Sequence, residues 1–173
     1  NLFNIHNFYV PAGGDEPDPK INEKFKHKLD FLDEATAYIK TKKDNTYTAL
    51  VGDLNIAPHE NDVWSHKQLL KIVSHTPIEV EKLNKFQDSL NFIDALREFH
   101  PLSEKLYSWW SYRSKNWEIS DRGRRLDHIW ITKKLNKIIT KASIEKDVRR
   151  WDRPSDHSPL IADFKFYLTY KIS

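Results

Sequence analysis

The stretch TYTALVGDLNIAP, residues 46–58, determines how this chain folds. Its first part, TYTALVGD, is apolar and β-prone, which predicts a buried strand that ends at Gly52-Asp53. Asp-Leu-Asn is a favourable turn sequence, so Asn55 is expected in a turn directly after the strand. A rigid strand that ends in an acid is well suited to hold polar side chains for chemistry at the edge of a sheet.

Strands and helices are predicted on both sides of this stretch. Apolar residues at spacings of three and four favour a helix from about 22 to 42, with Asn22 as its N-cap. The span 62–100 is helical in character, with a break at Pro77. Further strands are predicted at 2–10, 105–113, 125–132, 141–148 and 159–168, the last with Leu160, Ala162, Phe164 and Phe166 on one face. This pattern predicts an α+β fold, a layered sandwich built as a single domain over residues 1–173.

The composition excludes several classes of protein. The chain contains no cysteine, so disulfides and thiolate metal sites are excluded, and any metal is bound by oxygen or histidine. No apolar run is long enough to span a bilayer, and the first residues lack the layout of a signal peptide. The absence of cysteine fits a reducing compartment. We expect a cytoplasmic protein that is a monomer and has no membrane partner.

Basic residues concentrate in two short segments, although 28 Lys and Arg against 25 Asp and Glu give a net charge of only +3. The segments are DRGRRLD, with Arg122, Arg124 and Arg125, and VRRWDRP, with Arg149, Arg150 and Arg153. Either segment alone is equally compatible with a solvated basic surface. Because the two bracket acidic motifs, they favour an anionic substrate.

Three acidic motifs are predicted at strand ends or in the loops beside them. They are Asp53 and Asn55 in VGDLNIAP, Asp127 and His128 in RRLDHIWI, and Asp156 and His157 in PSDHSP. Each motif alone is better explained by a turn, but strand ends of one sheet can bring all three together. Carboxylate and amide oxygens suit Mg²⁺ or Mn²⁺, and a set of Asp, Asn and His side chains suits phosphoryl transfer.

Five segments in chain order resemble the exonuclease III class of abasic-site (AP) endonucleases, within the endonuclease/exonuclease/phosphatase superfamily. They are NFYVPAG, GDLNIAP with the trailing NDVW, YSWWSYRS, DRGRRLDHIW and PSDHSP. The resemblance implies a DNase I-like sandwich of two packed sheets flanked by helices. It also implies a DNA repair nuclease that uses Mg²⁺, with Mn²⁺ as the alternative, on duplex DNA with abasic sites or 3′ ends. Such an enzyme cuts 5′ to the abasic site and has 3′-to-5′ exonuclease and 3′-phosphatase activity.

The resemblance implies a catalytic set of five residues. Asp53 would transfer the proton, either from the attacking water or to the leaving oxygen, and Asn55 would orient the nucleophile and the phosphate. His157, steadied by Asp127, would contact the phosphate. Tyr9 would lie at the scissile phosphate, although it is equally explained as one of the aromatic residues of a strand.

Metal ligands and DNA contacts are implied in the same way. Asp156 would help to position the metal, together with Asp53 and Asn55. Trp109 and Leu126 would form the walls of the pocket that accepts the flipped sugar without a base, and core packing is the alternative for both. The other implied DNA contacts are Asn7, Arg113, Arg122, Arg124 and Arg125.

The chain departs from the family pattern in several places. Arg124 and Ser111 stand where an apolar residue and an acid are common. Family members are substantially longer, and no residue here matches the Glu that is their principal metal ligand. The chain also has no methionine and opens with Asn-Leu-Phe, so we expect that upstream sequence is missing. Two other functions therefore stay open: a superfamily phosphatase acting on small or lipid phosphates, and a catalytically incomplete DNA-binding fragment.

Overall fold

The computed structural model of the chain describes residues 3–114 and 116–166. The α-helices in this part are α1 (Glu23–Lys40), α2 (His66–Leu69), α3 (Pro77–Asp88), α4 (Trp117–Ser120) and α5 (Lys133–Asn136). The strands are β1 (Asn4–Asn7), β2 (Thr48–Asp53), β3 (Ile93–Asp94), β4 (Trp109–Trp110), β5 (Gly123–Arg124), β6 (Asp127–Ile131), β7 (Ile139–Ile144) and β8 (Leu160–Phe164). None of these helices has the length and apolar character that crossing a bilayer requires.

The central sheet has the strand order β1-β2-β6-β3. β1 runs parallel to β2, whereas β6 is antiparallel to both β2 and β3. β2 is the buried strand predicted from TYTALVGD, and its interior position in the sheet agrees with its continuous apolar run. The register between β2 and β6 places Asp53 opposite Asp127 at one end of the ladder, so the first two acidic motifs become neighbours.

The end of β2 requires glycine before the acid. Gly52 has a φ of +131°, a backbone conformation that residues other than glycine rarely adopt. A Cβ atom there would lie 2.0 Å from the carbonyl oxygen of Phe8, because the chain that leaves β1 passes directly beside Gly52. The backbone N–H of Val10 then donates to the carbonyl of Asp53 at 2.9 Å. These contacts fix the backbone of Asp53 against the segment that follows β1.

The helix α1 forms as the sequence predicts. Its N-cap is Asn22, whose side-chain oxygen accepts hydrogen bonds from the N–H groups of Lys24 and Phe25 at 3.0 and 3.3 Å. The predicted apolar face is buried: Phe25, Leu29, Leu32, Ala35 and Ile39. Part of this face packs with α3 and with Leu50 and Trp130 of the central sheet.

A second apolar cluster lies on the other face of the central sheet. Ala49 and Ile131, whose side chains alternate with those of Leu50 and Trp130, pack there against the antiparallel pair of β7 and β8. Leu160, Ala162 and Phe164 of the last strand belong to this cluster, as predicted, whereas Phe166 lies beyond the end of β8 and is 45% exposed. The fold is therefore α+β and layered, as predicted.

Several predicted elements differ from the structure. Pro77 begins α3 and does not break a helix, because the first helical position needs no N–H donor. The span 62–100 holds two separate helices and also β3, whose two residues are too few to give a periodic signal. Of the predicted strand 105–113 only β4 is paired, and the predicted strand 141–148 turns after β7 into a 3-10 helix at Lys146–Arg150. The predicted strand positions Leu2, Tyr167 and Leu168 lie outside the described residues.

Candidate active site

The turn after β2 binds the carboxylate of Asp53. The backbone N–H of Asn55 donates to Asp53 Oδ1 at 2.9 Å, and its side-chain Nδ2 donates to Asp53 Oδ2 at 3.0 Å. The same Nδ2 donates to the carbonyl of Val10 at 2.8 Å. Asn55 has a φ of +52°, which asparagine tolerates better than most residues. The sequence therefore folds Asp-Leu-Asn into a turn in which Asn55 orients Asp53.

The second and third motifs meet through a histidine. Nδ1 of His157 lies 2.7 Å from Oδ2 of Asp127. The hydroxyl of the buried Ser108 donates to the same Oδ2 at 2.7 Å and accepts hydrogen bonds from the N–H groups of Leu126 and Asp127, each at 3.0 Å. Asp127 is thus held by Ser108 on one side and in turn holds His157.

The three motifs converge on one point. Nε2 of His157 lies 4.0 Å from Oδ2 of Asp53. Asp53, Asp127 and His157 each offer one ligand atom, and these atoms all lie within 4.8 Å of one another. Two carboxylates and an imidazole at this spacing fit a hard divalent cation such as Mg²⁺ or Mn²⁺.

The cluster changes the proton affinities of its members. Burial raises the pKa of Asp53 to about 6, against an ordinary 3.8; the charge of Asp127 adds to this rise, while the N–H of Asn55 and the His157 cation oppose it. Burial alone would lower the pKa of His157, but the hydrogen bond and charge of Asp127, with further help from Asp53 and Asp156, raise it above 6.5. An acid poised near neutrality therefore faces a histidine that favours its cationic form.

Asp156 belongs to the same region but has a different partner. Its Oδ2 accepts a hydrogen bond from the indole Nε1 of Trp109 at 2.9 Å, and its carbonyl accepts one from the N–H of Trp110 at 3.0 Å. A bridge between Trp109 and His157 joins β4 to the PSDHSP loop. The structure thus connects Asp156 to the predicted pocket wall. Trp110, interpreted from the sequence as a core residue, is 1% exposed.

A cavity of about 940 Å³ opens beside this cluster. Asn55 and His157 line it, together with five of the predicted DNA contacts: Trp109, Arg113, Arg122, Arg124 and Leu126. Leu126 is nearly buried and Trp109 half-buried, so each serves both as packing and as cavity wall. Five of the residues predicted to bind DNA therefore surround one opening beside the acidic cluster, whereas Asn7 and Arg125 do not line it.

The arginines of this cavity have different surroundings. Arg122 and Arg113 are exposed, and the guanidinium of Arg122 lies 4.7 Å from the ring centre of Trp64. Arg124 is half-buried: its Nη1 donates to Ser74 Oγ at 2.8 Å, and its guanidinium lies 5.4 Å from the ring centre of Trp109. Arg122 and Arg113 therefore present charge to solvent, while Arg124 also ties the cavity wall together.

Asn7 and Tyr9 lie where the chain leaves β1. The side-chain oxygen of Asn7 is directed towards Gly52, the residue before Asp53. Tyr9 is 69% exposed and lies between Phe8 and Val10, both of which contact the end of β2. Asn7 is therefore the last residue of the strand parallel to β2, and Tyr9 follows it in the segment whose backbone is hydrogen-bonded to the end of β2.

Three arginines were predicted to form a basic surface, and the structure shows that they do not. Arg125 is completely buried, and it donates to Asp62 at 2.8 Å and to Asp94 at 2.6 Å. A guanidinium fully enclosed by two carboxylates cannot contact a phosphate. Arg149 is also buried and donates to the carbonyl of Trp110 at 3.3 Å. Arg150 is exposed but paired with acids on both sides, Glu118 and Asp147.

Two residues that organise the site were missed by the sequence analysis. Ser108 occupies YSWW, where a serine before two tryptophans gives no signal of its role. Lys28 is fully buried on α1, and its Nζ donates to the carbonyl of Asn55 at 2.8 Å. Lys28 lies on the buried face of α1 next to Leu29. The sequence does not indicate which acid pairs with it, because Glu79 is distant in the chain. Trp64, in contrast, belongs to the NDVW motif and does line the cavity.

Comparison with known proteins agrees with this geometry. Residues 27–157 match the Endonuclease/Exonuclease/phosphatase family. Exodeoxyribonuclease III of Haemophilus influenzae is 31% identical over 172 residues, which are 95% of this chain and 62% of that protein. The structure of an AP endonuclease from Archaeoglobus fulgidus superposes with a TM-score of 0.87 at 31% identity, covering 94% of this chain and 61% of the other. A Neisseria 3′ phosphatase bound to product DNA hairpin gives a TM-score of 0.85 at 25% identity, with the same coverage.

These relatives have a DNase I-like fold, and the chain spans about three fifths of their length, 62% and 61% for the first two. The match over residues 27–157 includes Asp53, Asn55, Asp127, Asp156 and His157. The cluster, the fold and the comparisons lead to the same assignment: the chain belongs to the endonuclease/exonuclease/phosphatase family, and the relatives it matches there are named exodeoxyribonuclease III and AP endonuclease.

Proposed function

We propose that this chain carries the catalytic machinery of a DNA repair nuclease that hydrolyses the phosphodiester bond 5′ to an abasic site. The same site would act as a 3′-to-5′ exonuclease and 3′-phosphatase on duplex DNA. The observation that carries the proposal is the cavity lined by His157, Asn55, Trp109 and the exposed arginines, beside the cluster of Asp53 and Asp127.

Hydrolysis of a phosphodiester requires a proton acceptor, an oriented nucleophile and charge stabilisation at the phosphate. Asp53, with its pKa near 6, takes the proton from the attacking water or returns one to the leaving oxygen. Asn55 fixes the direction of that carboxylate through its two hydrogen bonds. His157, held as a cation by Asp127, directs Nε2 towards the phosphate oxygens.

We propose that Mg²⁺, or alternatively Mn²⁺, binds beside Asp53. The carboxylates of Asp53 and Asp127 lie close enough together to share a hard cation, and the side-chain oxygen atoms of Asn55 and Asp156 are proposed as further ligands. With a cation bound, His157 stays protonated and serves the phosphate, not the metal. When bound, such a cation neutralises the charge that develops on the phosphate.

Recognition of the abasic site is proposed to use Trp109 and Leu126. An abasic deoxyribose offers an apolar ring face and no base, so the apolar surfaces of Trp109 and Leu126 can pack against it more closely than against an intact nucleotide. Arg113, Arg122 and Arg124 supply positive charge around the same opening for the backbone phosphates. Tyr9 and Asn7, on the other side of Asp53, are proposed to contact the scissile phosphate.

Abasic duplex DNA as partner is thus part of this proposal. The Neisseria 3′ phosphatase is bound to a product DNA hairpin in its structure, which supports a DNA substrate for a chain of this fold. The monomeric state and the cytoplasmic location stay predictions from the sequence.

Cleavage of a duplex oligonucleotide with one stable abasic analogue tests the function. With the 173-residue chain we expect nicking on the 5′ side of the analogue in Mg²⁺ and none in EDTA. Asp53→Asn, which is nearly isosteric, should reduce the nicking rate by roughly 10²- to 10⁴-fold without loss of folding. DNA binding without nicking would instead indicate a DNA-binding fragment, and competition by inositol phosphates but not by abasic DNA would indicate a phosphatase.

A further inference from the structure

Lys28 has an environment that is unusual for a lysine. Its side chain is completely buried, although lysine is among the residues least often buried. The three donors of its ammonium group meet three acceptors: the carbonyl of Asn55 at 2.8 Å, the carbonyl of Ala12 at 3.2 Å, and Oε1 of Glu79 at 2.6 Å. These acceptors belong to three segments that are distant in the chain.

The carboxylate of Glu79 extends the connection to the cavity. It accepts hydrogen bonds from the N–H of Ser74, at 2.9 Å to each oxygen, and from the N–H and hydroxyl of Thr76. Ser74 lines the cavity and accepts a hydrogen bond from Arg124. The pair of Lys28 and Glu79 therefore links the turn that carries Asn55 to the segment 73–76 of the cavity wall.

The chain around Lys28 is shaped to its side chain. Gly13 has a φ of +92°, and a Cβ atom there would lie 2.9 Å from Cδ of Lys28. A buried ion pair is a poor source of stability, because removing two charges from water costs several kcal/mol, roughly what their attraction returns.

The turn itself needs support. Asn55 is in the left-handed region, at a φ of +52°, and such residues persist when their surroundings hold them there. Its side chain is fixed by Asp53 and Val10, but its carbonyl has Lys28 as its partner. The ammonium group thus fixes the direction of the peptide that follows Asn55.

We propose that Lys28, paired with Glu79, is a positioning residue for the active site: it holds the peptide of Asn55 so that Asn55 faces the cavity and keeps the carboxylate of Asp53 in place beside it. This inference rests on the proposed nuclease function. Lys28 lies behind the turn and does not touch the substrate. Its removal changes the geometry of the reacting groups and leaves the DNA-binding surface in place.

The test uses a double variant that leaves no unpaired charge in the core. Lys28→Met/Glu79→Gln removes both charges, and the amide oxygen of the introduced glutamine can still accept hydrogen bonds from Ser74 and Thr76. The matched control is Lys82→Met, because Lys82 pairs with Asp33 at 2.6 Å between the same two helices, α3 and α1, but towards solvent. Three quantities are measured for the wild type and for each variant. They are the single-turnover rate of nicking of abasic duplex, the Kd for that duplex, and the hydrogen-exchange rates of the backbone amides at 54–57.

For the double variant we expect an unchanged Kd, faster amide exchange at 54–57, and nicking slower by about 10²-fold, the scale of a misplacement near 1 Å. Lys82→Met should match the wild type in all three. Wild-type nicking and wild-type exchange in a folded double variant would overturn the inference. If the wild type itself does not nick, the proposed function fails, and the exchange rates of the two variants still decide whether Lys28 holds the turn.

Discussion

His157 and Asp127 form a hydrogen-bonded pair, with Nδ1 of the imidazole 2.7 Å from Oδ2 of the carboxylate. The pair joins the loop before β8 to the first residue of β6. Since Nδ1 is occupied by Asp127, the other nitrogen of the ring, Nε2, faces Asp53 at 4.0 Å. Asp127 therefore sets both the orientation and the charge of His157.

Replacing Asp127 by asparagine tests this relationship. Asp127→Asn removes the charge that raises the pKa of His157, so in EDTA the pKa of His157 should fall, as NMR titration of its ring protons would show. Nicking should slow by on the order of 10²-fold, because a neutral His157 stabilises phosphate charge less well. An unchanged histidine pKa together with an unchanged rate would show that Asp127 has no part in the chemistry.

The burial of Asp53 predicts a pH-dependent stability. Its pKa is about 6 in the folded chain against an ordinary 3.8, so the folded state binds more protons between these values. This contribution to the free energy of unfolding is full below pH 4 and is lost as the pH rises through 6. In EDTA the loss should be on the order of 2 kcal/mol, allowing for the partial exposure of the group.

Asp53→Asn is the comparison for that measurement. The asparagine has no proton to lose. The free energy of unfolding, measured with urea, should therefore differ less between pH 4 and pH 7 in the variant than in the wild type. The variant should also be more stable than the wild type at pH 7. Equal pH dependence of the two proteins would contradict a raised pKa at Asp53.

The role of Trp109 divides into two parts that different substitutions separate. Trp109→Ala removes the cavity wall and the indole N–H, so discrimination between abasic and intact duplex should weaken. Trp109→Phe keeps an aromatic wall but removes the hydrogen bond to Asp156. It should keep most of the discrimination and lower the nicking rate through Asp156. If Trp109→Ala discriminated between abasic and intact duplex as well as the wild type does, Trp109 would have only a packing role.

The sequence predicted those parts of the fold that local patterns encode. The strand before Asp53 and the N-cap at Asn22 follow from apolar runs and from capping chemistry, and both are confirmed. β3 was missed because two residues are too few to show the alternation of apolar and polar residues that indicates a strand. Their extended conformation depends on pairing with β6. Pro77 was interpreted as a helix break because a proline before a helix and a proline within one give the same local signal.

Motif resemblance predicted the residues of the site, and their roles stay predictions. The convergence of Asp53, Asp127 and His157 agrees with it, since each lies at a strand end or in the adjoining loop. The supporting residues escaped prediction because their roles depend on partners distant in the chain. Lys28 needs Glu79 across two helices, and Arg125 needs Asp62 and Asp94. A charge in the sequence does not reveal whether its partner is solvent, DNA or a buried acid.

Arg122 and Arg125 show this difference within one motif, DRGRRLD. Arg122 is exposed at the cavity, so Arg122→Ala should weaken DNA binding and reduce the salt dependence of log Kd by about 0.9, the value for one phosphate contact. Its thermal stability should stay near that of the wild type. Fluorescence anisotropy at a series of salt concentrations measures the slope.

Arg125→Met should behave in the opposite way. It leaves Asp62 and Asp94 in a buried site without their shared guanidinium, so the free energy of unfolding should fall by about 3–5 kcal/mol. Because Arg125 cannot reach a phosphate, the salt slope of the remaining folded protein should not change. A reduced slope with wild-type stability would mean that Arg125 leaves its carboxylates when DNA binds, and that the predicted phosphate contact is made after all.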